Sequence, residues 1–338
     1  MKNKSFQRWS NNRARAPLAK FHNWRGKPLG LFVRAAEIAF IGAPLQQIIR
    51  SNNDIDEIKH LLPHLNISGE ERDFHISDAQ VSTKNALVLL ESGHIISRHL
   101  NSHSYLSGNL NDEVRALIKK KPLQLELDPI LVLPKQDYFY HFLIDYLPHI
   151  IRIHLEVPKI TIIVNQDENN FVTEYLKIHN IRFMRTKAKT ISGKLIIVPN
   201  YSSLNLNTVR SLLCYSDSHE NILPSAPEKI ALLRFRGSRH DVEFEKKLKV
   251  QLIKNNFIIF DPDSLSILEQ INLFSGAIEI VAIHGGALTN LIYCKEGTSV
   301  HEIFTHPYRT MFFMAISKEI GLKYSSSESA DFKFDLLL

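Results

Sequence analysis

The stretch "EIVAIHGGALTNLIY", Glu279–Tyr293, predicts the fold of the second half of this chain. Its first residues predict a buried strand that ends at His284. Gly285 and Gly286 predict a tight turn, after which a helix begins. The start of a helix presents unpaired N–H groups and a partial positive charge, which suit an anion. The stretch predicts either a phosphate site or a purely structural turn of the same shape.

Two polar side chains, Thr289 and Asn290, lie in the first turn of that predicted helix. They can donate further hydrogen bonds to a phosphate. No Gly-Lys-Ser/Thr sequence follows the glycines, and no G-x-G-x-x-G fingerprint is present. The pattern therefore indicates neither a P-loop enzyme nor a dinucleotide-dependent dehydrogenase.

Arginines follow the preceding predicted strand, "KIALLRFRG". Arg234 and Arg236 alternate along it and so share one face, and Arg239 follows in the loop. Guanidinium groups match phosphate oxygens bidentately, so we expect these arginines to bind a phosphorylated ligand. The alternative is structural, with the arginines covering a sheet edge or pairing with Asp241 and Glu243.

An acidic residue, Glu302, ends the next predicted strand, "SVHEIF". An acid at a strand end beyond a glycine turn can accept hydrogen bonds from ribose hydroxyls. It could equally pair with one of the arginines. Both interpretations place Glu302 in the same predicted site as His284.

Apolar strands alternate with helical patterns on both sides of a Pro- and Ser-rich stretch. This alternation predicts parallel sheets covered by helices. We expect Asp167 and Ser264 to cap two of the helices. The predicted order is a basic segment and poorly defined domain start (1–80), an N-terminal acceptor-side α/β domain (81–205), a linker (206–228), a C-terminal nucleotide-sugar-binding α/β domain (229–325) and a tail (326–338).

A second candidate site is "YFYHFLIDYLPHI", Tyr138–Ile150, in which His141, Asp145 and His149 are four residues apart. Helical spacing would place all three on one face. Pro148 should make the helix kink or restart, which takes His149 off that face. The remaining alternatives are a metal site, a buried structural pair and a catalytic pair.

In the catalytic interpretation His141 is the base and Asp145 orients its ring, although the roles could be reversed. Tyr138 and Tyr140 would line the acceptor site. His284 would contact the donor or share the role of base. The spacing alone does not decide between these assignments.

The bulk composition is that of a globular protein, with 44% hydrophobic and 22% charged residues and a net charge of +6. Two cysteines, Cys214 and Cys294, give neither a disulfide framework nor a cysteine-rich metal site. The first residues are rich in Lys and Arg, which favours peripheral contact with an anionic membrane or a solvated tail, and gives little support for nucleic-acid binding. Since neither a signal peptide nor a membrane span is indicated, we expect a cytoplasmic protein, peripheral on the inner face of the membrane.

Several blocks together resemble glycosyltransferase family 61, whose members are often described as capsular polysaccharide biosynthesis proteins. "IVAIHGGALTNLIYCKEGTSVHEIF", "YFYHFLIDY", the arginine strand and "FDPDSLSILEQINLFSGA" occur in the family's order. The resemblance extends over roughly residues 80 to 325. One departure is Gly286-Ala287, where the family more often has Ala-Gly. Gly285 is retained, so we expect the turn to be kept.

The resemblance implies an α/β protein of GT-B type, with two Rossmann-like doubly wound domains facing a central cleft. It also implies an inverting, metal-independent hexosyl- or pentosyltransferase without a cofactor. Such an enzyme would move sugar from a nucleotide sugar, UDP-linked by expectation, to a glycan or glycoconjugate acceptor in capsule, lipopolysaccharide or exopolysaccharide assembly. The alternative is a catalytically silent nucleotide- or glycan-binding module with the same fold.

Overall fold

The computed structural model describes residues 73–89, 95–96, 113, 116–117, 121–127, 129–199, 201, 204–214, 226–234, 241–306 and 310–332. These residues divide into two compact units. The N-terminal unit holds those up to Lys135, together with Arg152–Glu168 and the described part of 181–203. The C-terminal unit holds Gln136–Ile151, Asn169–Asn180 and those from Leu204 onward. The basic segment lies outside the described residues.

The described strands of the N-terminal unit form one mixed sheet in the order β3-β2-β1-β8-β5-β6-β7, with β4 also paired to β8. Strands β5 to β8 run parallel, whereas β1 pairs antiparallel with β8 and with β2. The strands are β1 Phe74–Ser82, β2 Val88–Leu89, β3 Ile95–Ile96, β4 Leu123–Gln124, β5 Ile130–Val132, β6 Thr161–Asn165, β7 Phe183–Thr186 and β8 Thr190–Val198.

The predicted parallel arrangement is confirmed for β5 to β8, but β1 to β3 join the sheet through antiparallel pairs, so the sheet is mixed. β1 and β8 are long partners whose buried side chains meet in one cluster. Ile76 and Val81 of β1 pack there with Ile191 and Ile196 of β8. Shielding these side chains from water favours the long antiparallel pairing.

The described strands of the C-terminal unit form a wholly parallel sheet in the order β10-β9-β11-β12-β13, as predicted for this half. The strands are β9 Lys229–Leu232, β10 Ile258–Phe260, β11 Glu279–Ile283, β12 Ser299–Phe304 and β13 Lys323–Glu328. Strand β13 was not predicted, because its sequence "KYSSSE" has no apolar alternation.

The strand order places a topological switch point between β9 and β11. After β9 the chain adds β10 on one side, and it then returns to add β11 on the other. In open α/β sheets, ligands bind at the carboxyl ends of the strands that flank such a point. Here those ends lead into Arg234 and into His284–Gly285.

The helices confirm most of the predicted segments but not two of the caps. Asn169, not Asp167, precedes α3, and Asp167 pairs with Lys135 at 3.0 Å. Ser266, not Ser264, caps α6. The helices are α1 Phe139–His141, a π-helical turn Phe142–Tyr146, α2 Leu147–Glu156, α3 Asn170–Ile178, α4 Leu206–Leu213, α5 Val242–Lys254, α6 Ile267–Gly276 and α7 Phe312–Glu319, with 3₁₀ helices at Pro262–Ser264 and Gly286–Tyr293.

The π-helical turn absorbs the disturbance expected at Pro148. The N–H of Leu147 bonds the carbonyl of Phe142, five residues back. An α-helical segment then starts at Leu147, so Pro148 lies in its first turn, where a missing N–H costs little. No helix in the described part of the chain is long and apolar enough to cross a membrane.

Candidate active site

His141 and Asp145 form the pair expected from their spacing, across the π-helical turn. Nδ1 of His141 lies 2.7 Å from Oδ2 of Asp145. Their side chains are 16% and 23% exposed, so both remain accessible. Tyr138 and Tyr140 approach the His141 ring edge-on, at centroid distances of 6.2 and 5.2 Å. A carboxylate on one ring nitrogen fixes the imidazole's orientation and supports its charged form.

His149, four residues beyond Asp145, is buried. Across the described residues there is no group of three or more His, Cys, Asp or Glu side chains arranged to hold a metal ion. The contact observed within Tyr138–Ile150 is the one between His141 and Asp145.

A second histidine pair lies at the end of β11. Nδ1 of His284 is 2.5 Å from Oε1 of Glu302 on β12. The hydroxyl of Tyr324 on β13 donates to Oε2 of the same carboxylate at 2.5 Å. Because β11, β12 and β13 are adjacent in the sheet, their side chains form a continuous chain, here called the Tyr324–Glu302–His284 chain.

This arrangement differs from both roles expected for Glu302. Its side chain is 0% exposed, and each carboxylate oxygen has a protein donor. It is therefore neither open to a ribose nor paired with an arginine in the described residues. The sequence placed Glu302 in the right site, but its partner Tyr324 lies on the strand that was not predicted.

Arg234 lies beside the glycine turn, as expected for a residue at the switch point. Its Nη1 donates to the backbone carbonyl of His284 at 2.9 Å. A Cβ added to Gly285 would lie 3.3 Å from the same Nη1, so the missing side chain makes room for the guanidinium. The backbone of Gly285 is extended, with φ 178°, which any residue adopts. Arg236 and Arg239 lie outside the described residues.

Thr289 and Asn290 hold the turn together instead of presenting donors to a ligand. Both are buried. Thr289 Oγ1 donates to the carbonyl of Gly286 at 2.6 Å, and Asn290 Nδ2 donates to Gln270 Oε1 at 2.9 Å. The segment Gly286–Tyr293 is a 3₁₀ helix, in which neighbouring turns are tighter than in an α-helix.

Glu245 is a site residue that the sequence analysis missed. It is 5% exposed, and it accepts a hydrogen bond from the backbone N–H of Arg234. Burial raises the pKa of its carboxyl to about 7, against the lowering effects of that N–H and of the Arg234 charge. The available signal was its position, since Glu245, Leu248 and Leu252 share the buried face of α5.

The two histidine pairs lie in one compact unit, not in separate domains as expected. Helix α1 packs against the 3₁₀ helix Gly286–Tyr293, and so does α7. Tyr140 stacks on Phe312 at 4.7 Å and 22° and meets Phe313 edge-on at 6.2 Å. Phe313 in turn lies 5.5 Å from the His284 ring. Aromatic contacts thus connect the neighbourhood of His141 to that of His284.

Comparison with known proteins tests the family resemblance. Residues 139–301 match the family model described as Glycosyltransferase 61. The matched segment begins in α1 and ends in β12, so it contains both histidines and Arg234. No curated protein matches the chain. The resemblance to glycosyltransferase family 61 is therefore confirmed over residues 139–301.

Proposed function

We propose that this protein is an inverting glycosyltransferase that moves a sugar from a nucleotide-sugar donor, UDP-linked, to a glycan or glycoconjugate acceptor. The observation that carries this proposal is the meeting of Arg234, His284 and Gly285 at the switch point of the parallel sheet. The family match supports the reaction class.

The donor diphosphate is proposed to lie beside Gly285, within reach of the Arg234 guanidinium. As the bond from the sugar's anomeric carbon to the phosphate oxygen breaks, negative charge grows on the diphosphate. A preorganised guanidinium and backbone N–H groups stabilise that charge without waiting for water to reorient. This arrangement can operate without a divalent metal, which is part of the proposal.

The acceptor is proposed to be activated by His141. A histidine paired with a carboxylate suits proton abstraction from a sugar hydroxyl. The hydroxyl oxygen attacks the anomeric carbon while its proton moves to His141, and the nucleotide diphosphate leaves from the opposite face. Asp145 stabilises the imidazolium that results, at 2.7 Å from Nδ1. Tyr138 and Tyr140 flank this pair.

The wider setting follows from the family resemblance. We propose a GT-B arrangement, a role in capsule, lipopolysaccharide or exopolysaccharide assembly, and a location on the cytoplasmic face of a membrane with peripheral contact to anionic lipid. A hexosyl or pentosyl donor is proposed on the same basis.

A binding and turnover experiment tests the proposal. The full chain is titrated with UDP, UDP-glucose, UDP-N-acetylglucosamine and UDP-xylose in EDTA. We expect binding to at least one of them, and sugar release or transfer with a suitable acceptor. Absence of binding to all four would contradict the donor assignment, and binding without any transfer or hydrolysis would favour a catalytically silent module.

The role of His141 is tested by His141→Ala, with His154→Ala as the matched control. His154 lies further along the same helical segment, in α2, where burial and the charge of Arg182 lower the pKa of its ring. We expect His141→Ala to lose transfer by about a hundredfold or more while retaining donor binding. Unchanged turnover in this variant would remove His141 as the base.

A further inference from the structure

Two residues that lie beyond the family-matched segment, Glu302 and Tyr324, converge on His284. The Tyr324–Glu302–His284 chain extends from the outermost described strand, β13, to the end of β11. The nitrogen that faces Glu302 is Nδ1. The Tyr324–Glu302–His284 chain therefore joins the hydroxyl of Tyr324, the carboxylate of Glu302 and Nδ1 of His284, in that order.

The protonation of this chain follows from its partners. Burial, and then the hydrogen bond to Glu302, raises the pKa of Tyr324 well above its ordinary value, so its hydroxyl keeps the proton and donates. A hydrogen bond donated to a carboxylate favours the ionised form. An ionised carboxylate can only accept from Nδ1, which must then carry a proton. In this tautomer the hydrogen of the neutral His284 ring is on Nδ1, not on Nε2.

Charged groups from several elements surround His284. The Glu302 carboxylate lies against its ring, and the Arg234 guanidinium donates to its backbone carbonyl. Glu245 accepts from the backbone of Arg234, and the His141–Asp145 pair lies on the helical segment that packs against the glycine turn. The rings of Phe304 and Phe313 pack on His284 and carry no charge.

We propose that Glu302 and Tyr324 are positioning residues that keep a proton on Nδ1 of His284, so that Nε2 takes up a second proton when the donor diphosphate binds beside Gly285. The second half of this proposal rests on the proposed donor site. The proton comes from solvent on binding and returns to solvent when the nucleotide diphosphate leaves, so no other co-reactant is needed. Donor binding is then coupled to proton uptake by the protein.

The first experiment measures the His284 tautomer in the ligand-free full chain by nitrogen NMR of the histidine rings at pH 8.5. The His284 signals are assigned by their loss in His284→Gln. We expect the Nδ1–H tautomer in the native chain and a larger share of Nε2–H in Tyr324→Phe. An Nε2–H tautomer in the native chain would overturn the proposal, as would a tautomer that Tyr324→Phe leaves unchanged.

Two controls separate positioning from general damage. His301 lies next to Glu302 but hydrogen-bonds the hydroxyls of Ser325 and Ser327, at 2.8 and 2.9 Å. Its signals should not move in Tyr324→Phe. Tyr175→Phe deletes another buried hydroxyl, one whose partner is Tyr293, and should leave the His284 tautomer as it is.

The second experiment measures proton uptake on donor binding. UDP-glucose, UDP-N-acetylglucosamine and UDP-xylose are titrated calorimetrically at pH 7.5 in buffers of different ionisation enthalpy. Their diphosphate diesters do not titrate near this pH, so any proton taken up enters the protein. We expect fractional proton uptake in the native chain and its loss in Glu302→Gln.

The outcomes distinguish the two proposals. Binding without proton uptake would overturn the coupling while leaving the proposed function intact. If no nucleotide sugar binds, both the proposed donor site and the proposed proton coupling are contradicted. The tautomer measurement then still tests the role of Glu302 and Tyr324. If Glu302→Gln does not fold, the native proton uptake and the Tyr324→Phe variant decide.

Discussion

Gly285 is constrained by its neighbour, Arg234, and not by its own backbone angles. A methyl group at this position would sit 3.3 Å from Nη1, so the guanidinium would have to move by a few tenths of an ångström. Gly285→Ala should therefore fold but weaken UDP binding by about tenfold, since a displaced charge-assisted contact costs on the order of 1.5 kcal/mol. Calorimetry measures the change.

The matched control is Gly286→Ala, because a Cβ there meets nothing within 4 Å. Its thermal unfolding should match that of the native chain. Native-like UDP affinity in Gly285→Ala would show that Arg234 does not need its present position to hold the nucleotide.

Glu245 gives the stability of the protein a pH dependence with a defined sign. Its folded pKa, about 7, lies above the unfolded value of 4.5. Its contribution to stability is fully present below the unfolded pKa and is lost as pH rises through about 7. Urea unfolding should therefore give a lower free energy at pH 8 than at pH 5, by on the order of 2 kcal/mol from this group.

Glu245→Gln should remove most of that difference. Glu243→Gln is the matched control, because Glu243 is exposed and pairs with Lys247 on the surface of α5. An unchanged pH dependence in Glu245→Gln would contradict the assignment of the raised pKa to this residue.

At the residue scale, sequence predicted which side chains gather but not what they do there. Glu302 lies beside His284 as predicted, whereas Asn290 donates to Gln270. Their partners, Tyr324 and Gln270, are 22 and 20 residues away along the chain. Such partners depend on the register of neighbouring elements, which the sequence near each residue does not contain.

Among the helices, α6 begins two residues later than its sequence predicted. Ser266 Oγ accepts a hydrogen bond from the N–H of Glu269, and the carboxylate of Glu269 accepts one from the N–H of Ser266. Ser264 instead ends a 3₁₀ turn and donates to the carbonyl of Asp261 at 2.7 Å. Both serines precede the same apolar pattern, so position alone could not identify the cap.

Because Ser266 caps α6 and Ser264 does not, their replacement by alanine should lower the free energy of unfolding by different amounts. Ser266→Ala should lower the free energy of unfolding by about 1 kcal/mol, because it breaks a capping box. Ser264→Ala should change it by less than about 0.5 kcal/mol. Chemical denaturation of both variants tests this, and an equal loss would mean that Ser266 is not the principal cap.

Strands that are buried on both faces were predictable as apolar runs, and β5, β6, β9 and β11 are confirmed. The polar strand β13 was not, because its pairing with β12 comes from backbone hydrogen bonds and not from an apolar pattern. The π-helical turn was also missed. Its extra residue changes hydrogen bonding without changing the local apolar pattern.

On the scale of the whole molecule, both candidate pairs belong to the C-terminal unit. Hydrogen exchange in EDTA should therefore show UDP protection at Arg234 and around Gly285, because a bound diphosphate shields these amides. The sheet formed by β1 to β8 should show no protection from UDP. Protection confined to that sheet would contradict the donor site.

The division into units has a practical consequence for protein engineering. The chain passes between the units at 135/136, 151/152, 168/169, 180/181 and 203/204. A chimera with a single junction near 204 would inherit β9 to β13 from one parent and the His141 helix from the other. An exchange of the C-terminal unit between relatives should therefore transplant Gln136–Ile151 and Asn169–Asn180 together with the C-terminal strands. Tyr140 then keeps its ring contact with Phe312, and Tyr175 keeps its hydrogen bond with Tyr293.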